Sequence, residues 1–123
     1  MRFEGRVKQH MGRGTRLGFP TANLDKIPPI DTGVYLAVAG VAGKKMPALA
    51  FKGTAQTFNE DTEMFEIYIL DFKQDIYGEQ MSVELFDKIR GVIKFEHREE
   101  LVEQMKKDEA VAREFFKQYN TGS

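Results

Sequence analysis

Met64-Phe-Glu-Ile-Tyr-Ile-Leu-Asp-Phe72 is the strongest strand signal in the chain. A strand points alternate residues to opposite faces. One face therefore carries Phe65, Ile67 and Ile69, and the other carries Met64, Glu66, Tyr68, Leu70 and Phe72. Glu66 is the single residue on a largely apolar face that carries a charge at neutral pH. A carboxylate held in such a place is partly desolvated, which disfavours its charged form and strengthens it as a base. Catalytic carboxylates are often tuned in this way. A glutamate on an edge strand that reaches water would leave the same trace in the sequence, so its place in the fold has to decide.

Other strands flank this one. Residues 2–8 (RFEGRVK) read as a first strand, followed by a loop over 9–32 in which Pro28-Pro29 cannot join a central strand. Gly33–Ala42 (GVYLAVAGVA) is apolar and β-rich, Gly43-Lys-Lys45 reads as a hairpin turn, and Met46–Gly53 is a second apolar strand with a proline near its start. Thr54–Glu63 reads as a polar loop and Asp75–Glu79 as a tight connection. Met81, Val83 and Leu85 then alternate with Ser82, Glu84 and Phe86. Some five short strands at this spacing predict a closed or nearly closed antiparallel barrel. The period then changes. From His97 to Tyr119 the apolar residues Leu101, Val102, Met105, Val111, Ala112, Phe115, Phe116 and Tyr119 recur at three and four, one face of an amphipathic helix. Glu99 and Glu100 near its start and Lys117 near its end suit the helix dipole. The stripe predicts a helix lying on the barrel, ahead of a polar tail over 120–123.

At 123 residues the chain is one domain's worth, and 41% hydrophobic with 30% charged residues describes a globular protein. No apolar run approaches the roughly 20 residues of a membrane span. The first residues already alternate like a strand, so no secretory signal is expected. Zero cysteines exclude disulfides and thiolate metal sites, and the expected location is the cytoplasm. His10 and His97 lack partners at metal-ligand spacing. Charge is uneven: residues 1–24 carry Arg2, Arg6, Lys8, Arg13 and Arg16 against Glu4, whereas 57–87 carry nine acids against Lys73. The basic start suits a small polyanion such as a nucleotide and is too limited for a nucleic-acid footprint. Attraction between the two segments within the fold would explain the asymmetry equally well.

The basic start contains Gly12-Arg-Gly-Thr-Arg-Leu-Gly-Phe-Pro-Thr-Ala-Asn23. Glycines let backbone N–H groups approach a ligand, and successive N–H groups in turns form concave anion sites. Thr21 and Asn23 add a hydroxyl and a carbonyl oxygen, the hard ligands magnesium prefers. The segment fits neither common phosphate motif. Leu17 stands where G-x-G-x-x-G needs its third glycine, and no Gly-Lys-Ser/Thr tripeptide occurs. Pro20 opposes a helix starting at Gly18–Phe19. The segment reads either as a phosphate cradle or as a solvated loop between strands.

These residues resemble the riboflavin kinases, including the kinase module of bacterial bifunctional riboflavin kinase/FAD synthetases. Gly12–Asn23 is similar to their G-R-G-x-x-L-G-F-P-T-A-N signature. The likeness continues in order through Gly33-Val-Tyr35, Gly53-Thr54, Thr57-Phe58, Phe65–Phe72, Asp75-Ile-Tyr-Gly78, Ile89-Arg90 and Phe95. Gln56 departs from a family proline, and Gly91-Val92 departs from a Pro-Glu-like pair on the flavin side. The resemblance implies a single domain over 1–123: a six-stranded antiparallel Greek-key barrel over about 1–95 with a C-terminal helix over about 97–119. It implies phosphorylation of riboflavin at its 5′-hydroxyl by ATP, giving FMN and ADP. By resemblance Glu66 is the catalytic base. Gly12, Arg13, Gly14, Arg16, Gly18, Pro20, Thr21 and Asn23 bind ATP, with Thr21 and Asn23 also holding Mg²⁺ or another divalent cation. Arg90 and Phe95 fall beside the flavin. No nucleic-acid or membrane partner is implied, and the expected state is a monomer. Met1 directly before the first strand fits a free-standing kinase or a module excised from a bifunctional synthetase. A flavin-binding domain without catalysis and a barrel that serves only for interaction are the competing readings. A pure binder has no need of Thr21, Asn23 and Glu66 together.

Overall fold

The computed structural model describes residues 1–8, 21–57, 60–72 and 74–118. Within them lie six strands, β1 (Arg2–Lys8), β2 (Ala22–Leu24), β3 (Gly33–Val41), β4 (Lys44–Thr57), β5 (Glu60–Ile69) and β6 (Gln80–Arg90), and one helix, α1 (Arg98–Gln118). All neighbours are antiparallel, in the order β1-β2-β5-β4-β3-β6, and β6 pairs back to β1, so the barrel is closed. Closure leaves no edge along which another chain could add a strand. The consecutive strands β3, β4 and β5 are followed by β6 returning beside β3, which is the Greek-key order.

Alternation decides what fills the barrel. Tyr35, Ala37, Ala39 and Val41 of β3, Ala48 and Ala50 of β4, Phe65, Ile67 and Ile69 of β5, and Met81, Val83 and Leu85 of β6 form one buried cluster with Val7 and Leu24. Of the two faces of 64–72, the one that carries Phe65, Ile67 and Ile69 is the inward one. Phe72 is a correction: it touches this inner cluster rather than the outer face of β5. The strand ends at Ile69, and Asp71 at φ 58° turns the chain, so the two-residue period stops short of Phe72.

Three further expectations give way. The loop over 9–32 contains β2, a strand of 3 residues that is too short to carry a period. The polar loop over Thr54–Glu63 is instead the continuation of β4 and β5, paired from Thr54↔Glu63 to Thr57↔Glu60. Backbone groups make that ladder, so it needs no apolar alternation. The hairpin turn is centred on Ala42-Gly43, with Val41 paired to Lys44, and not on Gly43-Lys-Lys45. Both turn residues have positive φ, 52° and 81°, as the tight turn that matches strand twist requires. Alanine pays a steric cost there that asparagine largely avoids. Ala42→Asn is expected to raise unfolding stability by about 0.5–1 kcal/mol, checked by urea denaturation.

Pro47 sits inside β4 without loss. Its carbonyl accepts the Leu70 N–H at 3.0 Å, just past the end of β5. The N–H and C=O of a strand residue point to the same neighbour, so the missing donor falls where β5 has already ended. The segments of opposite charge are also neighbours, with β1 against β6 and β2 against β5. Their asymmetry is thus partly internal to the fold.

The stripe of α1 covers the outer face of the barrel. Met105 and Ala112 are buried with Val34, Leu36, Leu49, Tyr68 and Leu70, and Leu101, Val102, Phe115 and Phe116 flank them. Phe86 meets Phe115 and Phe116 with ring centroids 5.8 and 6.5 Å apart. Val111 departs from the expected stripe and is exposed, and Tyr119 lies outside the described residues. A polar anchor lies beside the aromatic one. The Tyr68 hydroxyl donates to Glu109 Oε2 at 3.0 Å, and Arg113 bridges Glu109 and Asp71, the latter through two hydrogen bonds of 2.8 and 3.0 Å. Burial first, and then the bond to Glu109, pushes the Tyr68 phenol from 10.0 up to about 12. The fold thus favours the neutral phenol. Its contribution is complete below pH 10 and is lost as pH rises through about 12. Unfolding stability is expected to fall more steeply across this window in the parent chain than in Tyr68→Phe, as followed by denaturant titrations at stepped pH.

Candidate functional site

The outward face of β5 runs Met64, Glu66, Tyr68 and Leu70. The last two lie under the helix, while Glu66 lies beyond it and is half-buried. Glu66 is the Cα partner of Asn23 on β2 and of Phe51 on β4. Cross-strand partners share a face, so Asn23 and Phe51 flank the carboxylate. Thr21, two residues before Asn23, donates its hydroxyl to Glu66 Oε1 at 2.8 Å. The end of the glycine-rich stretch and the odd carboxylate of β5, 45 residues apart in sequence, therefore meet. Glu66 is not alone on an apolar face, and it is not a glutamate merely reaching into water: a hydroxyl fixes one of its oxygens. Asn23 is buried. Lys8 pairs with Asn23, so the chain leaves for residues 9–20 and returns from them beside this carboxylate. Gly12, Arg13, Gly14, Arg16, Gly18 and Pro20 lie outside the described residues.

A cleft opens next to Glu66. Thr21 and Glu66 stand in one wall, with Phe51 and Met64 from β4 and β5. Arg90 at the end of β6, Val92, Ile93 and Phe95 after it, and Leu101 and Met105 of α1 line the same cleft. The sequence-derived residues Thr21, Glu66, Arg90 and Phe95 thus line one cleft. It is apolar over most of its lining and polar at the Thr21–Glu66 end, the usual make-up of a small-molecule site. Gly33 also lines it. Its φ is 150°, and a Cβ there would lie 2.7 Å from the Arg90 carbonyl oxygen, so only glycine permits this approach of β3 to β6. Two register shifts between β3 and β6, at Val34/Tyr35 and Tyr35/Ala37, twist the end of β6 and re-aim Arg90 toward the helix.

Arg90 is not simply presented to the cleft. Its Nε and a terminal nitrogen donate to the two carboxylate oxygens of Asp108 at 2.9 and 2.7 Å. Sequence reasoning passed over Asp108, although its spacing from Met105 and Ala112 puts it on the buried stripe of α1. It also passed over Lys52. This lysine has the inward parity of Ala48 and Ala50 and is buried. Its ammonium donates to the carbonyls of Pro28 and Ile30 at 3.2 and 3.0 Å and lies 3.6 Å from Glu63, tying the loop before β3 to the barrel. In both cases the signal was a charge on an apolar face.

The description of a riboflavin kinase (flavokinase) domain matches residues 1–116. The chain belongs to the riboflavin kinase family. Among relatives, the bifunctional riboflavin kinase/FMN adenylyltransferase of Escherichia coli strain K12 is 38% identical over 118 residues, which is 93% of this chain and 37% of that protein. The crystal structure of a protein described as a macrolide-efflux protein from Streptococcus pneumoniae superposes with a TM-score of 0.82 at 37% identity, covering 97% of this chain and 39% of that one. The riboflavin kinase of Trypanosoma brucei shares the fold, with a TM-score of 0.65 at 23% identity over 98% of this chain and 82% of its own. The chain thus spans little more than a third of the bacterial bifunctional relative. In this riboflavin kinase family member the barrel supplies the Thr21–Glu66 end of the cleft, and the helix supplies much of its apolar wall. No described helix is long and apolar enough to cross a membrane.

Proposed function

We propose that this chain transfers the γ-phosphoryl group of ATP to the 5′-hydroxyl of riboflavin, giving FMN and ADP, with Glu66 as the base. The observation that carries the reading is the Thr21–Glu66 hydrogen bond of 2.8 Å at the polar end of an apolar cleft. The ring system of riboflavin suits the apolar walls, and its ribityl chain then runs toward the carboxylate. Glu66 accepts the proton of the 5′-hydroxyl as that oxygen attacks phosphorus. Thr21 holds one carboxylate oxygen and leaves the other to face the alcohol. Phosphoryl transfer asks little covalent work of protein groups and depends on positioning and on charge stabilisation.

The donor set fits a divalent cation. Thr21 and Asn23 bring a hydroxyl and an amide oxygen to the face that holds the Glu66 carboxylate, and hard oxygens of this kind suit Mg²⁺, which retains waters and shares substrate phosphates. Among the described residues no cluster of three or more His, Cys, Asp or Glu offers another site. When bound, Mg²⁺ would neutralise charge on the phosphate oxygens. Residues 12–20 would hold the ATP phosphates through backbone N–H groups, Arg13 and Arg16, because the chain enters and leaves that stretch beside Glu66. Phe95 would contribute to the flavin wall and Arg90 would hold that wall in place. A reaction that draws on ATP is consistent with a cytoplasmic location.

Incubation of the protein with riboflavin, ATP and Mg²⁺, followed by chromatography, tests the reading. FMN is the expected product. Flavin that binds and stays unchanged would mark a binding domain, and no flavin binding would mark an interaction module.

A further inference from the structure

Asp108 is the only buried acidic residue among the described residues, at 2% exposure. It sits in the middle of the apolar stripe of α1, where a carboxylate is costly unless it is paired and hydrogen-bonded. Its partners meet that demand. Arg90 donates to both oxygens in a two-pronged contact, and Gln104, one turn back on the helix, donates to Oδ1 at 3.0 Å. Arg90 also donates to the Gly91 carbonyl at 3.0 Å. One guanidinium therefore ties the helix, the end of β6 and the start of the segment that follows it.

Those are the elements that build one wall of the cleft. Val92, Ile93 and Phe95 follow Gly91 directly, and Met105 lies one turn before Asp108 on the same helix face. The Thr21–Glu66 end is built on β2 and β5. We propose that Asp108, acting through Arg90, is the positioning residue that sets riboflavin affinity by holding the helix wall and the 91–95 wall of the cleft at a fixed separation. The inference rests on the riboflavin reading above. A planar two-pronged contact fixes both distance and angle between the elements it joins, which an apolar contact at the same place would not do. Asp108 is not among the residues that line the cleft; it acts on binding by orienting the walls.

The test compares three variants of the full chain with the parent, reading riboflavin binding by flavin fluorescence anisotropy, steady-state constants for both substrates, and the melting temperature. Asp108→Asn keeps the shape and removes the charge. Arg90→Lys keeps the charge and removes the fork, and covers the case in which Asp108→Asn fails to fold. Arg113→Met breaks the other polar anchor of the helix, the one to Asp71, and serves as a control for helix docking alone. The expected result is riboflavin binding weakened about ten-fold in the first two variants, with the KM for riboflavin rising more than kcat falls and the KM for ATP within about two-fold of the parent. Arg113→Met should lower the melting temperature and leave riboflavin binding unchanged. Unchanged riboflavin binding in the folded Asp108 or Arg90 variant would overturn the inference, and so would an equal loss in Arg113→Met. A parent chain that binds no riboflavin would overturn the functional reading itself, and the inference with it.

Discussion

Glu66→Gln is expected to slow FMN formation by about 10²–10⁴-fold, the usual worth of a general base. The substitution is nearly isosteric. The amide oxygen can still accept the Thr21 hydroxyl, so the contact that orients the side chain at 2.8 Å has a substitute and the strand register is untouched. What disappears is the capacity to take a proton from the ribityl hydroxyl. The substitution leaves the stretch between Lys8 and Thr21, proposed above to hold the nucleotide, unaltered in sequence, so ATP affinity should change little. The measurement is kcat at saturating riboflavin and ATP, set beside ATP binding by calorimetry. A loss confined to kcat supports the assignment of Glu66. An undiminished rate would remove Glu66 from the chemistry.

The second large effect concerns stability. Phe65 is the immediate neighbour of Glu66 and points the opposite way, into the barrel, at 1% exposure. Its ring meets that of Phe3 edge-on, with centroids 6.5 Å apart at 78°. Phe65→Ala should cost about 3–5 kcal/mol, combining lost transfer energy with the cavity left among residues that cannot collapse into it. That is a large share of the roughly 5–15 kcal/mol that holds a domain folded. Urea unfolding reads it as a lower midpoint with an unchanged slope. A loss below about 1 kcal/mol would mean that the ring is not enclosed as described. Strand β5 thus couples the two: the face that closes the barrel fixes the register that presents Glu66.

Much of this was legible in the sequence, and the reasons differ by element. β6 and α1 carry clear periods because each has one face against apolar neighbours, whereas β3 is buried on both faces and reads as a continuous apolar run. The inner face of β5 was legible for the same reason. β2 was not, because 3 residues hold no period and the strand exists through its partners on β1 and β5. The far halves of β4 and β5 were hidden because their ladder is made by backbone groups and their residues look like a loop. Within the site, Glu66 stood out as a charge on an apolar face, and Thr21 and Asn23 stood out as oxygen ligands after a glycine-rich stretch. That the two features touch is a matter of pairing β2 with β5, and no local pattern encodes it. Asp108 and Lys52 obey the same rule that exposed Glu66, a charge at a position whose spacing says buried. They went unnoticed because a charge within a long helix or at the end of a strand is easily taken for a solvated one. The family resemblance supplied what pattern could not, namely the sixth strand and the nature of the substrate.

If the cleft beside Glu66 hands a phosphoryl group from ATP to riboflavin, the γ-phosphate must reach the flavin. Label transfer measures this most directly: the protein is given riboflavin and ATP labelled in the γ-phosphate, with Mg²⁺, and the flavin is separated and counted. Label is expected on the flavin in step with ADP formed, and almost none with Glu66→Gln. ATP consumed without label reaching the flavin, or flavin bound and recovered unlabelled, would contradict it.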